Sequence, residues 1–451
     1  MVLPTLFLGF VATALGTPLA KFTATTAESL GENTNLPSEP LYPGAGEDFC
    51  VQLEDVGTQR ALAKSTATAA VHPFRIDLAK GLPHLESLVK NTNLPSEPLY
   101  PDAGEDFGVQ LNFLRDLKTQ WVEGYNWTEE EAELNQLAQY TTTIGKQTVH
   151  FVHEKSDDKD AIPLLLIHGW PGSIQEFLPV IKPLTQSWTG PSGKKVSWTN
   201  VETGHLFDTL MTDVLGYSKY ALHATDWVSL VTFLQDFFWL TNNPGCRHRL
   251  PHVRVNATVR AAHFVFFQFQ PPSPKEIADK NITLSKVQKI ALEHTMAWLT
   301  TGQGYFMEQT YKPNDIGLAL YDNPVGQLAW IGGITKLWSD PRAGTAPSKL
   351  THTAILTSVS LYYLTQTFQS AAWQYARNAG SFRTKYVKPP TDAPMLYSLF
   401  AYNILMFPED YVAKLGNLVS YKEHDFGGHF PGLDNPSALI EDIREMGLYF
   451  K

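Results

Sequence analysis

The chain reads as an α/β protein: a mainly parallel sheet, a helical cap inserted into it, and a helical and extended region ahead of it. Three observations lead there. Short apolar runs such as IPLLLI (162–167) and RAAHFVFFQF (260–269) have the length and continuity of strands buried on both faces. Helix-spaced stretches alternate with them, as a parallel sheet requires. Between 271 and 390 the runs give way to aromatic residues at helical spacing, and strand patterning then resumes at SLFAYNILMF and NLVSYKEH.

Composition narrows the class further. With 451 residues, 43% hydrophobic and 18% charged, the chain can bury a large core and is neither collagenous nor a coiled coil. A net charge of −10 argues against a nucleic-acid binder, which needs a basic face. Fourteen histidines and two cysteines show no zinc-ligand spacing and no disulfide scaffold.

Taken in order, residues 1–20 read as a signal peptide. VLPTLFLGFVATALG (2–16) is apolar, ends in small residues and is short for a membrane span. No later run reaches the length of a span, so no stable membrane segment is expected. Sequons at Asn126, Asn256 and Asn281 fit a secretory route, extracellular or in the endoplasmic reticulum lumen, and a glycoprotein.

Residues 33–53 and 91–111 are near copies, NTNLPSEPLYPGAGEDFCVQL and NTNLPSEPLYPDAGEDFGVQL, differing at Gly44/Asp102 and Cys50/Gly108. The second copy runs into a helical pattern and the first into a small, polar stretch. Residues 21–70 are therefore expected to be poorly ordered. Cys50 belongs to the spare copy, and its pairing with Cys246 is left open.

An N-terminal domain follows over 71–145, with helical apolar spacing across 112–138. The core begins at 146 and runs to 270. TVHFVHEK alternates like an edge or half-buried strand, IPLLLI and YALHAT are buried strands, and Phe207–Leu215 and SLVTFLQDFF are helical. The cap occupies 271–390 and the second part of the core 391–451. So many cap aromatics suggest a lid over an apolar pocket.

Reactive groups in open α/β sheets lie at the carboxyl ends of strands. Four such ends stand out: His168–Ser173 (HGWPGS), Asp226-Trp227, FPED (407–410) and Gly427–Phe430 (GGHF). The order acid, acid, histidine is that of a hydrolase triad with Asp226 in place of serine, and no Gly-x-Ser-x-Gly occurs. A carboxylate is ionised at neutral pH and needs no general base to attack saturated carbon.

On these motifs, in this order, the chain resembles the microsomal-type epoxide hydrolases, a family with an α/β-hydrolase core. The match covers roughly 73–451, including HPFRIDL, HGWPGS, DW, FPED and GGHFPGLDNP. The resemblance implies a small apolar epoxide and water as reactants, and no metal or cofactor. Asp226 would be the nucleophile that forms an alkyl-enzyme ester. Tyr305 and Tyr375, from the cap, would hydrogen-bond the epoxide oxygen and protonate the alkoxide. His429 would activate water, oriented by Asp410, and the N–H groups of Trp170 and Trp227 would form the oxyanion hole. The oligomeric state is left open, a homodimer included.

Two departures from the family stand out. The positions two before and two after the nucleophile are Ala224 and Val228 rather than glycine, and a β-branched Val228 should crowd the turn. His168 and Asp226 are also close in sequence, and PLTQSWTGPSGKKVSWTN supplies no apolar strand, so one core strand is expected to be missing. Residues 237–252 look like an insertion. These features raise an alternative, an inactive relative with a gap in its sheet; a haloalkane dehalogenase, lacking ring-opening tyrosines, is a third reading.

Overall fold

The computed structural model describes residues 70–451 except 102–103, 105–106, 145–146, 203–206, 228–257, 378–385, 387 and 389–390. The leader, the first copy of the duplication, Cys50, Val228, Cys246, Asn256 and the 237–252 stretch lie outside the described residues.

The apolar runs assemble into a nine-stranded sheet. In chain order its strands are β1 (His72–Phe74), β2 (Gln139–Ile144), β3 (Gln147–Glu154), β4 (Ile162–Ile167) and β5 (Trp198–Glu202). Then come β6 (Tyr220–Ala224), β7 (Val259–Phe264), β8 (Pro394–Tyr402) and β9 (Asn417–Gly428). Their spatial order is β1-β2-β3-β5-β4-β6-β7-β8-β9. Pairing is antiparallel from β1 to β5 and parallel from there on.

One expectation is corrected. No core strand is missing: β5 lies between β3 and β4, and the ladder runs unbroken from β3 through β5 and β4 to β6. WTNVE escaped notice because only Trp198 and Val201 in it are apolar, too few for a run or an alternation; β-branched Thr199 and Val201 nevertheless favour extended backbone, and Trp198 is fully buried. Of the two forms expected for TVHFVHEK, edge or half-buried, the second holds: β3 is flanked on both sides, with Val149, Phe151 and Val152 buried and Gln147 and Thr148 exposed.

Ahead of the core, helix α1 (Leu111–Glu123) turns Leu114, Leu117 and Trp121 inward at helical spacing and ends at Gly124. Helix α2 (Trp127–Leu134) starts at Asn126, whose side chain accepts from Thr128 N–H. Between β7 and β8 stand the cap helices, among them α3 (Lys286–Ala297), opened by a Ser285/Gln288 capping box, α4 (Gly304–Tyr311), α5 (His352–Leu364) and α6 (Phe368–Arg377). The C-terminal helix α7 (Pro436–Tyr449) buries Leu439, Ile443 and Met446. No described helix is long and apolar enough to cross a membrane.

One polar thread crosses the sheet. His223 Nδ1 on β6 meets His263 Nδ1 on β7 at 2.8 Å, and His263 Nε2 meets Ser398 Oγ on β8 at 2.9 Å. Ser398 donates to Asp442 on α7 at 2.6 Å, and Asp442 also takes His424 at 2.7 Å and Lys422 at 2.8 Å. Burial lowers both inner histidines, His263 to about 4, so the pair is neutral and shares one proton between its facing nitrogens.

Candidate active site

The site is built where β4, β6, β8 and β9 end. Beyond β6 the chain turns sharply, with Asp226 at φ 45°, a left-handed conformation uncommon for a non-glycine residue. That turn lifts the carboxylate off the strand end and toward the turn after β4. There Trp170 N–H donates to Asp226 Oδ1 at 2.9 Å. Gly169 beside it makes this approach sterically feasible: a Cβ at 169 would overlap the Asp226 Cβ and Oδ1.

His429 follows β9 through Gly427 and Gly428. Its own N–H is held by the Trp338 carbonyl at 2.8 Å, and a Cβ at Gly428 would strike that same carbonyl. The imidazole is buried and edge-on to Phe266, Trp338 and Phe430. Its Nε2 stands 3.3 Å from Asp226 Oδ2.

The other ring nitrogen corrects a second assignment. His429 Nδ1 lies 2.9 Å from Asn403 Oδ1, not against Asp410. Asp410 is exposed, on a short helix (Glu409–Val412), as is Glu409. The reason is where β8 stops: the first residue past its carboxyl end is Asn403, and the apolar 404–407 stretch is then buried before the acids appear.

Hydrogen-bond bookkeeping fixes the orientation of that amide. Asn403 Nδ2 donates to the Val265 carbonyl at 2.7 Å, so its Oδ1 must be the atom facing His429, where it also accepts Ile404 N–H at 2.8 Å. An acceptor there requires the proton on His429 Nδ1. In the neutral form of the ring Nε2 then carries the lone pair, on the side of Asp226.

Opposite the carboxylate stands an aromatic wall. Tyr305 on α4 stacks on Trp170 at 5.4 Å between centroids. Tyr375 on α6 stands edge-on to Trp227 at 4.6 Å and lies 5.7 Å from the Tyr305 ring. Burial lifts Tyr305 well above the ordinary phenol range, with the Asp226 charge adding to it. Tyr375 is lifted by burial, then by Tyr305 and Asp226. Both phenols therefore keep their protons beside an anion.

Of the residues singled out from the sequence, the structure gathers Asp226, His429, Trp170, Trp227, Tyr305 and Tyr375 and leaves Asp410 outside. Sequence reasoning missed Asn403 and Gly169. The signal for Asn403 was present, a polar amide interrupting the apolar run FAYNILMF at a strand's carboxyl end. Among the described residues no cluster of His, Cys, Asp and Glu could hold a metal ion.

Residues 71–177 match the model of the epoxide hydrolase N terminus. A Stigmatella aurantiaca protein assigned as an epoxide hydrolase is 30% identical over 391 residues, 83% of this chain and 84% of that protein. The chain belongs to the epoxide hydrolase family. The structure of Aspergillus niger epoxide hydrolase, 25% identical, matches with a TM-score of 0.68 over 86% of this chain and 98% of the other. Juvenile hormone epoxide hydrolase from the silkworm Bombyx mori, at 20% identity and a TM-score of 0.70, shares the fold over 86% of this chain and 97% of the other. The core of this family member is thus an α/β-hydrolase sheet, with the cap placed between β7 and β8.

Proposed function

We propose that this chain opens an epoxide to a vicinal diol through an alkyl-enzyme ester. Asp226 attacks one ring carbon, the carbon–oxygen bond breaks, and the oxygen takes a proton from Tyr375 or Tyr305, leaving a phenolate. His429 Nε2 then removes a proton from water, whose oxygen attacks the ester carbonyl, and Trp170 N–H with Trp227 N–H steadies the oxyanion. Collapse releases the diol, which recovers a proton from His429. The Asp226 carboxylic acid returns the remaining proton to the phenolate.

The observation that carries this reading is the convergence on Asp226: Trp170 N–H at 2.9 Å on one oxygen and His429 Nε2 at 3.3 Å from the other, beneath two protonated phenols. The gap in the sheet on which an inactive relative was to be argued is filled by β5. The dehalogenase reading called for a site without ring-opening tyrosines, and Tyr305 and Tyr375 stand there.

The test is mass spectrometry of the His429→Gln variant after incubation with styrene oxide. A stable adduct on the peptide bearing Asp226 is expected; an unmodified peptide contradicts the mechanism. The apolar leader and the exposed asparagines 126 and 281 support export as a glycoprotein, which a mass loss on glycosidase treatment of the secreted chain checks.

A further inference from the structure

We propose that Asn403, a neutral amide where His429 is oriented, slows ester hydrolysis in this chain relative to a carboxylate at the same place, while leaving ring opening untouched. The inference rests on the mechanism just given. Ring opening uses Asp226 and the phenols and leaves His429 uncharged. Hydrolysis does not: Nε2 must take a proton from water, and for the life of the tetrahedral intermediate the ring is a cation.

On its Nδ1 side that cation has no formal charge to balance it. On the Nε2 side Asp226, 3.3 Å away, is esterified until water attacks; the oxyanion that then forms is taken by the Trp170 and Trp227 N–H groups, and the phenolate left by ring opening belongs to the cap. Phe266, Trp338 and Phe430 close around the ring. The remaining partner is Asn403 Oδ1, an amide dipole already shared with Ile404 N–H. Such a dipole holds the correct tautomer, and so serves the lone pair that attacks water's proton, but it stabilises the imidazolium far less than a carboxylate does. Asn403 is in this sense a positioning residue: it aims the base and withholds the charge.

The geometry also separates this site from an ordinary acid-to-amide loss. Where a carboxylate partner of a serine-protease histidine becomes an amide, about 10⁴-fold in rate is lost because the tautomer is wrong as well. Here Asn403 Nδ2 is committed to the Val265 carbonyl, so the tautomer is right and only the charge is lacking. The hydrolytic deficit is accordingly smaller, and ring opening is untouched.

The experiment is rapid-quench mass spectrometry with styrene oxide on the full chain, alongside the steady-state rate of diol formation. The wild-type chain supplies the reference rates of ester formation and ester hydrolysis. In Asn403→Asp, ester hydrolysis should be at least about tenfold faster and the ester level should fall, with the ester-forming rate unchanged. In Asn403→Ala, which removes the acceptor, ester should form at the wild-type rate and persist longer still.

Asn403→Asp loses the bond to the Val265 carbonyl, so a thermal melt accompanies it; if that variant does not fold, Asn403→Ala decides, and ester hydrolysis as fast as in wild type overturns the inference. Unchanged ester hydrolysis in a folded Asn403→Asp overturns the inference while leaving the mechanism standing. Absence of ester in wild type and in His429→Gln alike overturns the mechanism beneath it.

Discussion

Gly169 and Asp226 occupy neighbouring turns with no room between them for a single methyl group. This close approach lets Trp170 N–H reach Asp226 Oδ1 and holds the carboxylate in one place. In Gly169→Ala the turn or the carboxylate must shift. A displacement near one ångström at a reacting group costs about 10²-fold in rate, and ester formation should slow by at least that much. Stopped-flow of the alkylation step on a variant with an unchanged melting curve checks it.

Much of this arrangement was legible in the sequence because strand ends in parallel sheets carry the chemistry. HGWPGS, Asp226-Trp227 and His429 each follow an apolar run, and the structure brings them together. Two features were not legible. WTNVE forms an inner strand, paired on both sides, without a continuous apolar run of its own. Asp410 has the charge expected of the orienting group, but β8 ends at Tyr402 and delivers Asn403 instead, a boundary the apolar run through 407 does not mark.

Tyr305 and Tyr375 both face the carboxylate, so either can protonate the opened ring. Tyr375→Phe or Tyr305→Phe alone should slow ester formation by about 10²-fold, and the double variant should bring it close to background. A single variant that keeps the full rate shows that its phenol is packing only. Single-turnover mass spectrometry separates these outcomes.

Burial and the Asp226 charge raise both phenols above their ordinary value of 10.0. Raising the pKa of an acid keeps its proton-donating form at higher pH. The single-turnover rate of ester formation should therefore stay level from about pH 8 to about pH 10. A half-loss centred near 10 is the contrary result, and pH-jump quench experiments read it directly.

Asp442 gives a stability prediction away from the chemistry. Burial pushes this carboxyl up, but the hydrogen bonds from His424 and Lys422, with the His424 charge, outweigh it and hold the carboxyl below the usual carboxylate range. Asp442→Asn should cost about 2 kcal/mol at neutral pH. That is less than for an enclosed pair, because Lys422 is one-third exposed and keeps Glu445 at 2.7 Å. A depressed folded pKa contributes stability in full above the unfolded value near ~3.9, and that stability is lost as pH falls toward the folded value. The gap between urea melts of the two proteins should therefore begin to narrow as pH falls past about 3.9 and go on narrowing below it.

The central claim is that the attacking atom belongs to Asp226 rather than to water. A single turnover of excess protein with styrene oxide in heavy-oxygen water tests it most directly. The account predicts an unlabelled first-turnover diol and heavy oxygen in the Asp226 carboxylate. Label in the diol, with an unlabelled Asp226 peptide, would mean that water attacks the epoxide itself and would contradict it.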